Sequence, residues 1–150
     1  MRIFPTLADY AKAAGQPLGT SSWLTVDQDR IDAFARATGD HQWIHVDPER
    51  TRAELGMETI AHGYLTLALV PLFIVEIVAI ESVRRSLNYG SNKIRFLNMV
   101  PAGSRLRGSA HLDRAVASGN SLRSHMTVTV EIEGQEKPAL IAETIALLFE

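Results

Sequence analysis

Apolar and polar positions alternate most regularly near the end of the chain. Met126, Val128, Val130 and Ile132 fall on one face of an extended segment, and Thr127, Thr129 and Glu131 on the other. That period of two predicts a strand over residues 122–132. Turn residues mark off three more. Pro101-Ala102-Gly103 separates residues 88–97 from 105–112, Ser118-Gly119-Asn120 follows, and Glu133-Gly134 precedes a strand over 140–149. Four consecutive strands joined by short turns predict an antiparallel sheet.

The front half has a different rhythm. Thr6 is placed to cap a short helix over residues 7–14 that Gly15 ends, and residues 23–26 read as one strand. Asp27 then caps a helix whose buried face is Ile31, Phe34, Ala35 and Thr38, with Gly39 as its stop. Asp47 before Pro48 starts a further short helix through Leu55. Residues 63–80 carry one charge, Glu76, and are apolar all round, which predicts a long helix covered on nearly every side. Pro71 in its interior and the charges Glu81, Arg84 and Arg85 at its end argue for a core helix over a membrane span. The order predicts an α+β fold, a single domain over residues 1–150 with the sheet curled round the long helix.

Composition narrows the function classes. A chain of 150 residues, 46% hydrophobic, can bury a sizeable core. Net charge is −2, and no basic block interleaves with aromatics, so the footprint of a nucleic-acid binder is missing. With no cysteine there is neither a disulfide framework nor a thiolate zinc site. Asp9 interrupts the N-terminus before an apolar core of signal-peptide length can form, so a cytoplasmic location is expected.

The chemistry concentrates between residues 38 and 63. Asp40 and His45, separated by four residues just past Gly39, are expected on one short loop where a carboxylate and an imidazole converge on a single water. Gly63 opens the long helix, and the unpaired N–H groups of a helix start can hold a developing negative oxygen. Each residue also has an ordinary role: turn cap for Asp40, structural imidazole for His45, tight packing for Gly63. Together, in this order, they read as an acid–base site with an oxyanion donor. His41 and His62 are expected to support the loop or line the pocket. A metal held by Asp40, His41 and His45 is allowed by residue type, but none is expected.

Three motifs in order carry a family resemblance: residues 40–48 (Asp-His-Gln-Trp-Ile-His-Val-Asp-Pro), Ile60-Ala61-His62-Gly63, and Asn88-Tyr89-Gly90 with Asn92-Lys93-Ile94-Arg95-Phe96. Over nearly its whole length the chain resembles the MaoC-like (R)-specific enoyl-CoA hydratases, in the branch that includes nodulation protein N. The resemblance implies a hot-dog fold, in which a long helix is wrapped by an antiparallel sheet. It also implies reversible hydration of trans-2-enoyl thioesters to (R)-3-hydroxyacyl thioesters, with Asp40 and His45 activating the water and the Gly63 amide holding the thioester oxygen. No metal or redox cofactor is implied, and coenzyme A enters only as part of the substrate.

The chain departs from the commoner family pattern at Gln42 and Trp43, which replace Asn and Pro, and at Ala68, where many members carry serine. Trp43, His62 and Tyr64 are the candidates to line the substrate pocket. Lys93 with Arg95, on one strand face, are the candidate contacts for coenzyme A phosphates, with Arg105 and Arg107 as the alternative pair; either pair could equally be a solvated face. Chains of this type usually pair by joining sheet edges, so a homodimer is expected. A hot-dog thioesterase and a non-catalytic acyl-thioester binder are the alternative functions.

Overall fold

The computed structural model describes all 150 residues. Two short elements begin the chain, β1 (Arg2–Phe4) and α1 (Leu7–Ala11), followed by β2 (Gln16–Thr20) and β3 (Leu24–Val26). Helices α2 (Gln28–Thr38), α3 (Trp43–Val46) and α4 (Pro48–Leu55) come next, then α5 (Gly63–Ala68) and α6 (Val70–Ile77). Strands β4 (Val78–Ile80), β5 (Arg85–Phe96), β6 (Ser104–Ser118), β7 (Ser121–Ile132) and β8 (Leu140–Phe149) complete it.

The helix limits follow from local chemistry. Asp27 accepts a hydrogen bond from the Arg30 N–H at the start of α2, and Gly39 ends that helix in the left-handed region at φ 79°. Asp47 caps α4 in the same way through the Arg50 N–H, with Pro48 at its first position. Thr6 caps α1 as expected, but the helix stops at Ala11, short of Gly15.

The sheet runs β2-β6-β7-β8-β5, antiparallel throughout, and β3 shares the β6 edge with β2. Strand β8 spans the expected residues, β7 begins one residue early, and β5 and β6 are longer than their patterns suggested. A register shift between Leu112 and Arg114 breaks the alternation of β6 and hides its second half from a period-two reading. One cluster of 26 buried residues joins α1, the central helices and the sheet, so these elements share a core. Where α6 crosses β6, Gly108 leaves room for Phe73; a Cβ there would lie 2.7 Å from the Phe73 Cβ. This is a helix wrapped by a curved antiparallel sheet, the hot-dog arrangement.

The central helix differs from its expectation in two ways. It is two pieces that meet at Leu69, because Pro71 has no N–H to continue the ladder, and its last three residues leave the helix to form β4 beside β1. Nor is it covered on nearly every side. Phe73 and Ile77 are buried, yet Tyr64 is 70% and Val75 60% exposed. The wrap is one-sided: the sheet covers one face of the rod and leaves the other open. No helix is long and apolar enough to cross a membrane.

Candidate functional site

The site begins where α2 ends. Gly39 turns the chain, and Asp40 follows with its side chain about half exposed (55%). His45 lies inside α3 and is buried. Its Nδ1–H donates to the Ile60 carbonyl oxygen at 2.6 Å; a carbonyl only accepts, so the neutral ring carries its lone pair on Nε2. Burial pushes the His45 pKa down, and nearby His62 adds to that, while the Ile60 carbonyl and Asp40 pull the other way; the net direction is down.

The Ile60 carbonyl is held in turn. Ile60 N–H donates to the Ile44 carbonyl, Ala61 N–H to Val100, and Ala102 N–H to the Thr59 carbonyl. Gln28 joins this segment to α3: its amide donates to the His45 carbonyl at 2.8 Å and its oxygen accepts from the Thr59 hydroxyl. Gln28 has no local sequence signal, and Ile60, though it opens the Ile60-Ala61-His62-Gly63 motif, acts here through its backbone carbonyl on a residue distant in the chain.

His62 packs against this group and not against solvent, with 2% exposure. Its ring stacks on His45, centroids 3.8 Å apart and planes at 27°, and Phe34 lies 5.0 Å from it. Its Nε2–H donates to the Asp40 carbonyl oxygen at 3.0 Å. His41, by contrast, is exposed. Asp40, His45 and His62 therefore form the cluster, each offering one ligand-type atom within 4.8 Å of the others. One nitrogen of each ring already donates to a carbonyl, His45 to Ile60 and His62 to Asp40, which leaves each ring one nitrogen without a proton.

Gly63 is the first residue of α5, and its N–H makes no hydrogen bond within the chain. A Cβ at this position would sit 3.1 Å from the Phe96 ring, so glycine lets β5 close against the helix start. Tyr64 stands edge-on to the same ring at 5.7 Å. Beyond it an open cavity of about 940 Å³ runs between the rod and the sheet, lined by Phe34, Tyr64, Leu67, Ala68, Ile94 and Met126 among others.

The remaining candidates lie apart. Trp43 opens α3, half-buried, with the Arg50 guanidinium 4.4 Å above its ring. Lys93 and Arg95 share one face of β5, opposite Glu143 and Ile141 of β8, and Ile94 between them faces the cavity. They do not converge with Asp40 and His45. Arg105 and Arg107 are engaged with Glu133 and Glu131 of β7 and its turn, which leaves that pair neutralised.

Comparison with known proteins identifies the family. Residues 9–136 match the MaoC like domain. The 3-hydroxyacyl-thioester dehydratase Z of Mycobacterium tuberculosis is 47% identical over 146 residues, covering 97% of each chain. Nodulation protein N of Rhizobium leguminosarum bv. viciae is 45% identical, covering 95% of this chain and 91% of its own. The R-hydratase PhaJ1 of Pseudomonas aeruginosa shares the fold, with a TM-score of 0.77 at 21% identity over 97% of this chain and 86% of that one. With the family model spanning most of its length and a dehydratase relative aligned from end to end, this chain belongs to the MaoC-like domain family.

Proposed function

We propose that this protein, a hydro-lyase of the MaoC-like family, adds water reversibly across the 2,3 double bond of a trans-2-enoyl thioester to give the (R)-3-hydroxyacyl thioester. Asp40 and His45 hold and activate the water, and the Gly63 N–H receives the thioester oxygen. The observation that carries this reading is the pairing of an exposed carboxylate with a buried imidazole whose Nε2 is left unprotonated, in one cluster of ligand-type atoms within 4.8 Å.

Each part has a task. The water oxygen bonds to the β-carbon while one of its protons passes to the base, and a proton is then delivered to the α-carbon, so the elements of one water are added. Between these events electron density sits on the thioester oxygen. An N–H with no partner in the chain needs to break no bond to serve as donor to that oxygen, and such a donor is typically worth about 100- to 1,000-fold in rate. A His45 kept neutral is ready to accept a proton at neutral pH. The reaction invokes no metal and no cofactor beyond the coenzyme A or carrier of the thioester. The acyl chain occupies the cavity beside α5, whose size is that of an ordinary ligand site. Lys93 and Arg95 lie on the face of β5 opposite cavity-lining Ile94, so no part in holding the acyl chain is assigned to them.

We further read the protein as cytoplasmic and as a homodimer. Strand β5 is the sheet edge, twelve residues long, paired only with β8 and exposed along almost its whole length. Leu87 and Tyr89 are 46% and 58% exposed on it, which favours pairing with a second copy.

A thioesterase reading has little support. Glu76, the one acidic residue of the rod, lies near the end of α6 and accepts from both the N–H and hydroxyl of Ser22. A non-catalytic binder of acyl thioesters draws on the likeness to nodulation protein N. Incubation with trans-2-enoyl-CoA substrates of graded chain length, with chiral analysis of the product, tests the proposal. (R)-3-hydroxyacyl-CoA is expected; tight binding with no product at any length would favour the binder.

A further inference from the structure

We infer that His62 is a positioning residue for the water-adding site, tying the Asp40 backbone to the face of His45. The inference rests on the hydratase reading above. At 2% exposure His62 presents almost no surface to a substrate, so it works through its neighbours. It touches all three working parts: its ring stacks on His45 at 3.8 Å, its Nε2–H donates to the Asp40 carbonyl at 3.0 Å, and its backbone leads into Gly63.

Asp40 itself has no other short tie, although its neighbours are held, Gly39 N–H to the Ala35 carbonyl at 2.8 Å and the Gln42 carbonyl by the His45 N–H at 2.9 Å. Asp40 N–H reaches the Thr38 hydroxyl at 3.4 Å, and its carboxylate accepts from the Gln42 N–H at 3.4 Å, both long. The bond from His62 is the shortest that Asp40 makes, and it fixes the backbone from which the carboxylate extends, with Oδ2 4.0 Å from the same His62 nitrogen. The second His62 nitrogen sharpens the point. Nδ1 is buried with no hydrogen-bond partner in the protein, a destabilising state. A phenylalanine would stack on His45 and Phe34 without that cost. What the imidazole adds at this place is its Nε2–H, and an unsatisfied buried nitrogen is accepted with it.

Two variants separate the functions of the ring. His62→Phe keeps the stack and loses the donor; His62→Gln keeps an N–H at similar reach and loses the stack. Steady-state hydration of a trans-2-enoyl-CoA would give kcat and KM separately, with thermal unfolding recorded for each protein. His62→Phe is expected to lower kcat about 10- to 100-fold with KM changed less than about threefold, the scale of a small misplacement of a reacting group, and His62→Gln to recover most of that loss. A wild-type kcat in His62→Phe, a rise in KM alone, or a His62→Gln enzyme as slow as His62→Phe would overturn the inference.

Backbone ¹⁵N relaxation of Asp40 gives a readout independent of turnover. Mobility of Asp40 should rise in His62→Phe and stay near wild type in His62→Gln; an Asp40 equally rigid in His62→Phe would overturn the inference. If wild type hydrates no enoyl-CoA, the hydratase reading fails, and the relaxation result alone decides whether His62 positions Asp40. Should His62→Phe not fold, His62→Asn, too short to reach the Asp40 carbonyl, takes its place.

Discussion

The His45 Nδ1 lies 2.6 Å from the Ile60 carbonyl oxygen, and that one bond decides which nitrogen of the ring is free to take a proton. Because burial lowers the His45 pKa, Nε2 stays unprotonated further into acid than a free imidazole. The acid limb of kcat/KM is therefore expected to have its midpoint below 6.5, the ordinary value. A midpoint above 6.5 in a pH profile would contradict the assignment of His45 as base.

The same shift has a consequence for stability. His45 and His125 both have pKa values lowered by burial, so the unfolded chain takes up protons that the folded one refuses. Stability should fall as pH drops through about 6.5 and level off once the folded values are passed. Urea unfolding between about pH 7 and pH 5 checks this, and His45→Gln should flatten the slope. A stability that rises over that window would reverse the sign and reject the cause.

Gly108 of β6 and Phe73 of α6 meet in close helix-to-sheet contact. A Cβ at position 108 would meet the Phe73 Cβ at 2.7 Å and its Cγ at 2.9 Å, and neither α6 nor β6 can yield easily. Gly108→Ala is expected to cost about 1–3 kcal/mol in chemical denaturation. A neutral single variant would mean that the rod slides on the sheet.

Much of this was legible in the sequence, for identifiable reasons. The alternation of Met126, Val128, Val130 and Ile132 gave β7, and Asp27 with Gly39 marked the ends of α2 to the residue. The short strands were not legible. Pro17 and Gly19 make β2 look like loop, and its register shift between them confirms an irregular strand. Residues 78–80 are as apolar as the helix before them, so nothing local separates β4 from α6; pairing with β1 does. At the site, the nearness of Asp40 and His45 was readable, but not that His45 stands on helix α3 instead of the loop expected for both, nor the His62 stack, because residues 45 and 62 meet only when the segment after α4 returns to α3.

The cavity beside α5 predicts how chain length can be altered. Ala68 lines it without contributing bulk, so Ala68→Phe should block its depth. Turnover of longer enoyl-CoA substrates is expected to fall at least about tenfold relative to the shortest, roughly 1.4 kcal/mol in the barrier. An unchanged chain-length profile would place the acyl chain elsewhere.

Pairing along β5 has a direct test. Light scattering at micromolar concentration should give twice the 16.5 kDa of the chain. Leu87→Lys with Tyr89→Lys, placing charge on the exposed edge, should shift the mass toward the monomer. A wild-type monomer would show that the edge is left unpaired.

Asp40→Asn and His45→Gln, each assayed beside wild type on trans-2-enoyl-CoA with binding measured in parallel, test the central claim most directly. Loss of about 100- to 10,000-fold in kcat for each, with affinity for the thioester held near wild type, is the expected result for an acid–base pair. Variants that keep near-wild-type turnover would contradict the assignment of Asp40 and His45 to the chemistry.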